Sequence, residues 1–156
     1  MPDQMSRRTF LKLTGAVGGA FLLTSCNFFD GVKGIPETEL PQIPGAWSYA
    51  GDELILDLAK LPELESLGGA VRIEGEVLPA PVLVVLGEDG EYYAFENACT
   101  HAGRMIDPEA GTMTLKCCSL SGSSFDYQGE VLSGPAEGPL TSYPLTVEDG
   151  QLRIKF

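Results

Sequence analysis

From Trp47 to the C-terminus no stretch sustains a helical period; short β-prone runs alternate instead with turn signals. Nineteen Gly and eleven Pro supply the punctuation, and they disfavour long helices because neither residue is tolerated well in a helix interior. The pattern predicts strands over 53–57, 70–74, 82–86, 91–97, 112–116, 131–132, 142–148 and 151–156. Val82 to Leu86 is apolar throughout, as suits a strand buried on both faces. Asp89-Gly90 and Asp149-Gly150 read as two-residue hairpin turns. Residues 58–67 have room for one or two helical turns, limited by Pro62. The expected fold is all-β, a small antiparallel sandwich or barrel.

The N-terminal segment has a different character. Ser6-Arg7-Arg8-Thr9-Phe10-Leu11-Lys12 precedes an apolar stretch over residues 13–23. This resembles the signal of the twin-arginine export pathway. The stretch is too short for a spanning helix, which needs about 20 apolar residues. Leu23-Thr24-Ser25-Cys26 follows and resembles a bacterial lipobox, in which the cysteine receives lipid. The resemblance implies a signal peptide over 1–25, lipidation at Cys26 and anchorage on an extracytoplasmic membrane face. Residues 26–45, with Pro36, Pro41 and Pro44, read as a tether, and residues 46–156 as one domain.

The chain carries 22 acidic and 10 basic side chains, a formal charge of −12. Removal of residues 1–25 takes away Asp3, Arg7, Arg8 and Lys12, leaving a charge of −14. Such a chain lacks the clustered cations that phosphate binding demands, which excludes nucleic acid as a partner. Anionic headgroups repel it too, so acyl chains must do the anchoring. Its field favours a basic protein partner, which the sequence does not identify.

Two segments carry chemistry. Cys99-Thr100-His101-Ala102-Gly103 follows one predicted strand, and Cys118-Ser119-Leu120-Ser121-Gly122-Ser123 follows another, with Gly134-Pro135-Ala136 downstream. Order and spacing resemble the Rieske iron–sulfur family over residues 50–156. That resemblance implies a [2Fe–2S] cluster with a Cys from each loop on one iron and a His from each loop on the other. Cys99 and Cys118 match the thiolate positions and His101 the first imidazole. Gly103, Gly122 and Ser123 match the surrounding residues that let backbone and hydroxyl approach the cluster. The second imidazole position is Ser121, and His101 is the only histidine in the chain.

Three readings of Ser121 follow. A cluster persists with Ser121 or water on the outer iron; the site holds no cluster and the fold serves as a module; or Cys117 supplies the missing ligand. Alternation along a strand points Cys117 and Cys118 oppositely, which disfavours the third and makes Cys117 a small buried apolar residue. An alternative for Cys99 and Cys118 is a mutual disulfide in an oxidising compartment. The resemblance also places Arg104 and Leu120 where bc-complex members carry a cross-linking Cys pair, and Phe125 where they carry a Tyr.

The leading expectation is a membrane-tethered one-electron carrier, or a subunit of an extracytoplasmic oxidoreductase, with no nucleophile or general acid of its own. The alternative is a clusterless lipoprotein acting as an interaction or assembly module. A bc-complex subunit is disfavoured by the short apolar stretch and the missing loop Cys pair. A ring-hydroxylating oxygenase is disfavoured because the chain has no room for a catalytic domain with a mononuclear iron.

Overall fold

The computed structural model describes residues 26–27 and 35–156. The twin-arginine run and the apolar stretch before Cys26 lie outside the described residues. Within them the fold is all-β, thirteen strands with two short 3-10 turns at Leu58–Lys60 and Pro62–Leu64. Pro62 sits in the first turn of the second, where its missing N–H costs nothing.

Three sheets stack. The first joins β3 (Trp47–Ala50), β4 (Glu53–Asp57), β12 (Leu145–Glu148) and β13 (Gln151–Lys155) in the order β12-β13-β4-β3. The second runs β5 (Ala70–Ile73), β6 (Val82–Leu86) and β7 (Tyr92–Glu96). The third joins β8 (Ile106–Pro108), β9 (Thr114–Cys117), β10 (Ser124–Asp126) and β11 (Val131–Ser133) in the order β11-β10-β9-β8. All pairings in these three sheets are antiparallel. A separate pair, β1 (Cys26–Asn27) with β2 (Ile35–Pro36), falls within the predicted tether.

The middle sheet is common to two cores. Val82 and Val84 of β6 pack with Leu54, Leu56, Leu152 and Ile154 from the first sheet. Leu83 and Val85 of the same strand pack with Ile106, Leu115 and Phe125 from the third. Every residue of β6 is buried, as its unbroken apolar run predicts. Each fully buried Val or Leu contributes roughly 1.5–3 kcal/mol relative to exposure.

The two predicted hairpin turns differ. Asp149 (φ 50°) and Gly150 (φ 75°) are both left-handed and join Glu148 to Gln151 directly, the two-residue turn expected. Asp89-Gly90 lies in a longer connection between paired Leu86 and Tyr92. Here Gly87 N–H donates to Glu91 O at 2.9 Å and only Gly90 is left-handed. The Asp89 carboxylate accepts the Tyr93 hydroxyl at 2.6 Å and the Glu91 N–H at 3.1 Å, and these bonds hold its pKa below the ordinary value.

Strands β3, β8 and β10 were not predicted. β8 contains Asp107 and Pro108, both poor strand formers, and it is held by pairing Ile106 to Cys117 and Asp107 to Lys116.

The segment after β2 is also fastened. Asp107 is buried and accepts the backbone N–H groups of Glu37 at 2.7 Å and Thr38 at 3.1 Å, together with the Thr38 hydroxyl. Arg72 N–H donates to Glu39 O at 3.3 Å. Burial pushes the Asp107 carboxyl above its usual range, while these hydrogen bonds and the Arg72 charge pull it back. The predicted tether is therefore pinned to the domain at residues 37–39.

Candidate functional site

Two loops meet at one end of the third sheet. The first, residues 97–105, is a tight turn: Cys99 N–H donates to Arg104 O at 2.6 Å, and Gly103 N–H returns to Cys99 O at 2.8 Å. Gly103 takes φ 63°, a left-handed conformation that side chains rarely adopt. Asn97 anchors the loop base, its buried side-chain oxygen accepting Ile106 N–H at 2.7 Å. The second loop leaves β9 at Cys118 and returns at Ser123. Cys118 N–H donates to Met105 O at 2.8 Å, which fixes one loop beside the other.

A third segment closes the base. Ser123 is fully buried, and its hydroxyl oxygen accepts Ala136 N–H at 2.9 Å. Gly134 (φ 96°) passes so close that a Cβ there would lie 2.5 Å from Ser123 Cα. At Gly122 a Cβ would lie 2.7 Å from Cys117 O. These glycines allow a packing of backbone on backbone that no side chain would permit.

The predicted site residues fall into two groups. Cys99 and Cys118 are buried at 2% exposure each, whereas His101 and Ser121 are exposed on the loop surface. Cys99 is a free thiol, so the mutual Cys99–Cys118 disulfide considered from sequence is not formed. Cys118 is disulfide-bonded. Cys117 is buried at 1% exposure in the same core as Cys99. The Cys117 thiol donates to Ser119 Oγ at 3.3 Å. Burial raises its pKa; Ser119 opposes that shift and Cys99 reinforces it.

Cys117 ends β9 as a small buried residue of the core, as expected of it from sequence. Phe125 is fully buried in the core formed with Cys99, Cys117 and Tyr127, as expected of a core aromatic.

A sequence profile of the Rieske [2Fe-2S] domain matches residues 58–144, more than half of the 156-residue chain. The chain belongs to the Rieske family. That family binds a [2Fe–2S] cluster, and its domains mediate electron transfer. The ferredoxin subunit of 3-phenylpropionate/cinnamic acid dioxygenase from Escherichia coli K12 is 33% identical over 100 residues, 62% of this chain and 86% of that protein. Among solved structures, naphthalene 1,2-dioxygenase with bound indole matches 69% of this chain and 26% of its own with 21% identity and TM-score 0.54. A complex of reduced oxygenase and oxidised ferredoxin in carbazole 1,9a-dioxygenase matches with 22% identity and TM-score 0.50, covering 65% of this chain and 92% of that one. Both share the fold. A twin-arginine signal profile matches residues 4–24, so the chain carries the signal for twin-arginine export.

The Rieske loops of this chain meet the family's donor set in part. Cys99, Cys118 and His101 supply two sulfurs and one imidazole; the fourth position offers only the exposed Ser121 hydroxyl. The Asn97 side-chain nitrogen, two residues before Cys99, is buried without a partner, a spare donor of the kind that a cluster sulfide accepts. Among the described residues no three His, Cys, Asp or Glu side chains gather closely enough to hold a metal ion. By residue type the chain offers donors for three of the four family positions, but in this structure the buried Cys99 and Cys118 and the exposed His101 do not gather into one metal-holding group.

A cavity of about 660 Å³ lies elsewhere, lined among others by Glu37, Asp107, Met113 and Tyr127. Its lining includes none of Cys99, His101, Cys118 or Ser121. It opens beside the fastened tether.

Proposed function

We propose that this protein is a Rieske-type one-electron carrier, held by lipid on Cys26 at an extracytoplasmic membrane face and exchanging electrons with a partner oxidoreductase. The observation that carries this reading is the pairing of Cys99-x-His101-x-Gly103 with the Cys118–Ser123 loop, stitched by Cys118 N–H to Met105 O. In this reading Cys99 and Cys118 hold one iron, and His101 holds the other with Ser121 or water beside it. The cluster supplies one-electron chemistry when bound. The chain's own part is positional. Cys99 sits in a dry core, while His101 stands at the surface, where a partner protein can meet it.

The relative from Escherichia coli is named as the ferredoxin subunit of a dioxygenase, which supports a role as a component that serves a separate oxidoreductase. The negative charge of the exported chain suits a partner with a basic docking face. We assign residues 1–25 to the signal peptide, 26–45 to the tether and 46–156 to the Rieske domain. Cys26→Ser tests the anchor: the protein should leave the membrane fraction, and unchanged membrane association would overturn lipid attachment.

Iron and acid-labile sulfide on protein purified without oxygen, together with EPR of the reduced state, tests the carrier. Roughly two irons per chain with a [2Fe–2S] signal is the expected result. Metal-free protein under reducing, iron-replete conditions would overturn it. A second reading, a clusterless Rieske-fold interaction module, is favoured by Ser121, which leaves the fourth ligand position without an imidazole.

A further inference from the structure

We propose that residues 37–39 are a latch on the first sulfur-bearing loop: docked, they hold that loop firm, and released, they loosen it. Four hydrogen bonds dock them on the body of the domain. The Asp107 carboxylate accepts the Glu37 N–H at 2.7 Å, the Thr38 N–H at 3.1 Å and the Thr38 hydroxyl. The Arg72 backbone N–H donates to Glu39 O at 3.3 Å. Asp107 is only 1% exposed, and a carboxylate so placed needs donors. Undocking takes away all of those that Glu37 and Thr38 supply, and water must enter beside β8 to replace them.

Both residues that receive the latch adjoin the first loop. Asp107 follows Ile106, whose N–H donates to the buried Asn97 side-chain oxygen at the loop base and which pairs with Cys117. The Arg72 guanidinium donates to Met105 Sδ at 3.5 Å, and Met105 O is the acceptor that binds Cys118 N–H. Residues 105–107 thus carry the latch contacts and the stitch between the two loops together. β8 is a three-residue edge strand paired only with β9, so contacts from outside its sheet weigh heavily in fixing it. The network is contiguous, and docking or release of residues 37–39 is the two-state element that drives it.

The latch also gives the N-terminal segment a direction. Residues 40–45 link it to Ala46, which is buried in the core against the first sheet. The strap therefore spans from that core to the third sheet, and the segment before residue 37 departs from the side that carries Met105 and Asp107. A pull on that segment, from an attachment or a binding partner, reaches residues 37–39 before any strand of the three sheets. The coupling needs neither a cluster nor a lipid, so it stands or falls apart from the carrier reading.

The test is amide hydrogen exchange on the full exported chain, purified metal-free and read residue by residue. Thr38→Pro removes the N–H and the hydroxyl that Thr38 gives to Asp107 and leaves every residue of the three sheets and both loops in place. The amides of Cys99, Gly103 and Cys118, which donate to Arg104 O, Cys99 O and Met105 O, should then exchange roughly tenfold faster or more. Amides shared by β4 and β13 should keep their rates. Thr38→Ser retains both bonds and should match the wild type. Thr38→Val removes the hydroxyl alone, serves if the proline variant does not fold, and should speed the same loop amides by a smaller factor. Unchanged loop amides in the folded variant would overturn the proposal, because the loop then does not feel the strap. Equal acceleration of the loops and of β4 with β13 would overturn it too, because the strap then serves overall stability alone.

Discussion

Ser123 and Ala136, 13 residues apart in sequence, are joined by a 2.9 Å hydrogen bond from the Ala136 N–H to the buried Ser123 hydroxyl oxygen. The bond ties the second sulfur-bearing loop to the Gly134-Pro135-Ala136 segment and fixes the floor beneath both loops. Ser123→Ala leaves that N–H without its acceptor, a loss of about 1 kcal/mol or somewhat more. Urea unfolding measures it. An unchanged midpoint would mean that water replaces the hydroxyl at no cost.

Gly134 is tested separately because its constraint is steric. Its φ of 96° disfavours any side chain, and an added Cβ meets the backbone of Ser123 and Gly122. Gly134→Ala should destabilise the domain by about 2 kcal/mol or more. A cost of a few tenths would show that the segment slides away freely.

Ser121 stands where the family carries its second imidazole, which makes it the weak position of the proposed cluster site. Ser121→His restores the imidazole that the family places there. The variant should retain roughly two irons per chain through purification in air, where the wild type loses metal more readily. Iron content after gel filtration reads the difference. Equal retention would remove Ser121 from the ligand positions.

Asp107 makes stability depend on pH in a definite sense. Its carboxyl titrates above 3.8 in the folded chain, chiefly through burial, so the native state holds the proton more tightly than the unfolded one. The contribution is complete below the unfolded pKa of about 3.9 and is lost as pH rises through the folded value. Asp107→Asn abolishes this term. The stability of wild type relative to the variant should therefore grow as pH falls from 7 towards 4, measured by urea unfolding at each pH. A constant difference would show that the carboxyl does not titrate differently in the two states.

Export rests on the arginine pair. Replacing both Arg7 and Arg8 with Lys keeps the charge but removes the twin-arginine pattern matched at residues 4–24. Precursor should accumulate inside the cell, read by fractionation and immunoblotting.

Much of the fold is legible along the chain because the strands of the first two sheets, β3 excepted, are locally consistent. Val82–Leu86 is apolar without interruption, and Gln151–Lys155 alternates buried and half-buried residues up to its exposed end. The third sheet is less legible. Ile106-Asp107-Pro108 becomes a strand through long-range bonds: β9 pairs with it, and residues 37–38 satisfy Asp107 from 69 or 70 positions away. The two loops could be found from Cys99, His101 and Cys118, since ligand spacing is local. Their burial could not be. Which of these side chains are buried depends on where β9 ends and where the first loop folds back, and neither is written in the residues between.

One consequence follows from β6 belonging to both cores. Alternate residues of this strand close the base of the molecule on one side and the sulfur-bearing tip on the other. The apolar interior of the tip takes one of its walls, Leu83 and Val85, from this same strand, so it does not persist intact once the base is lost. Heating should give a single calorimetric transition, with the calorimetric and van't Hoff enthalpies equal. Damage at the loops will then appear as a lower melting temperature for the whole domain.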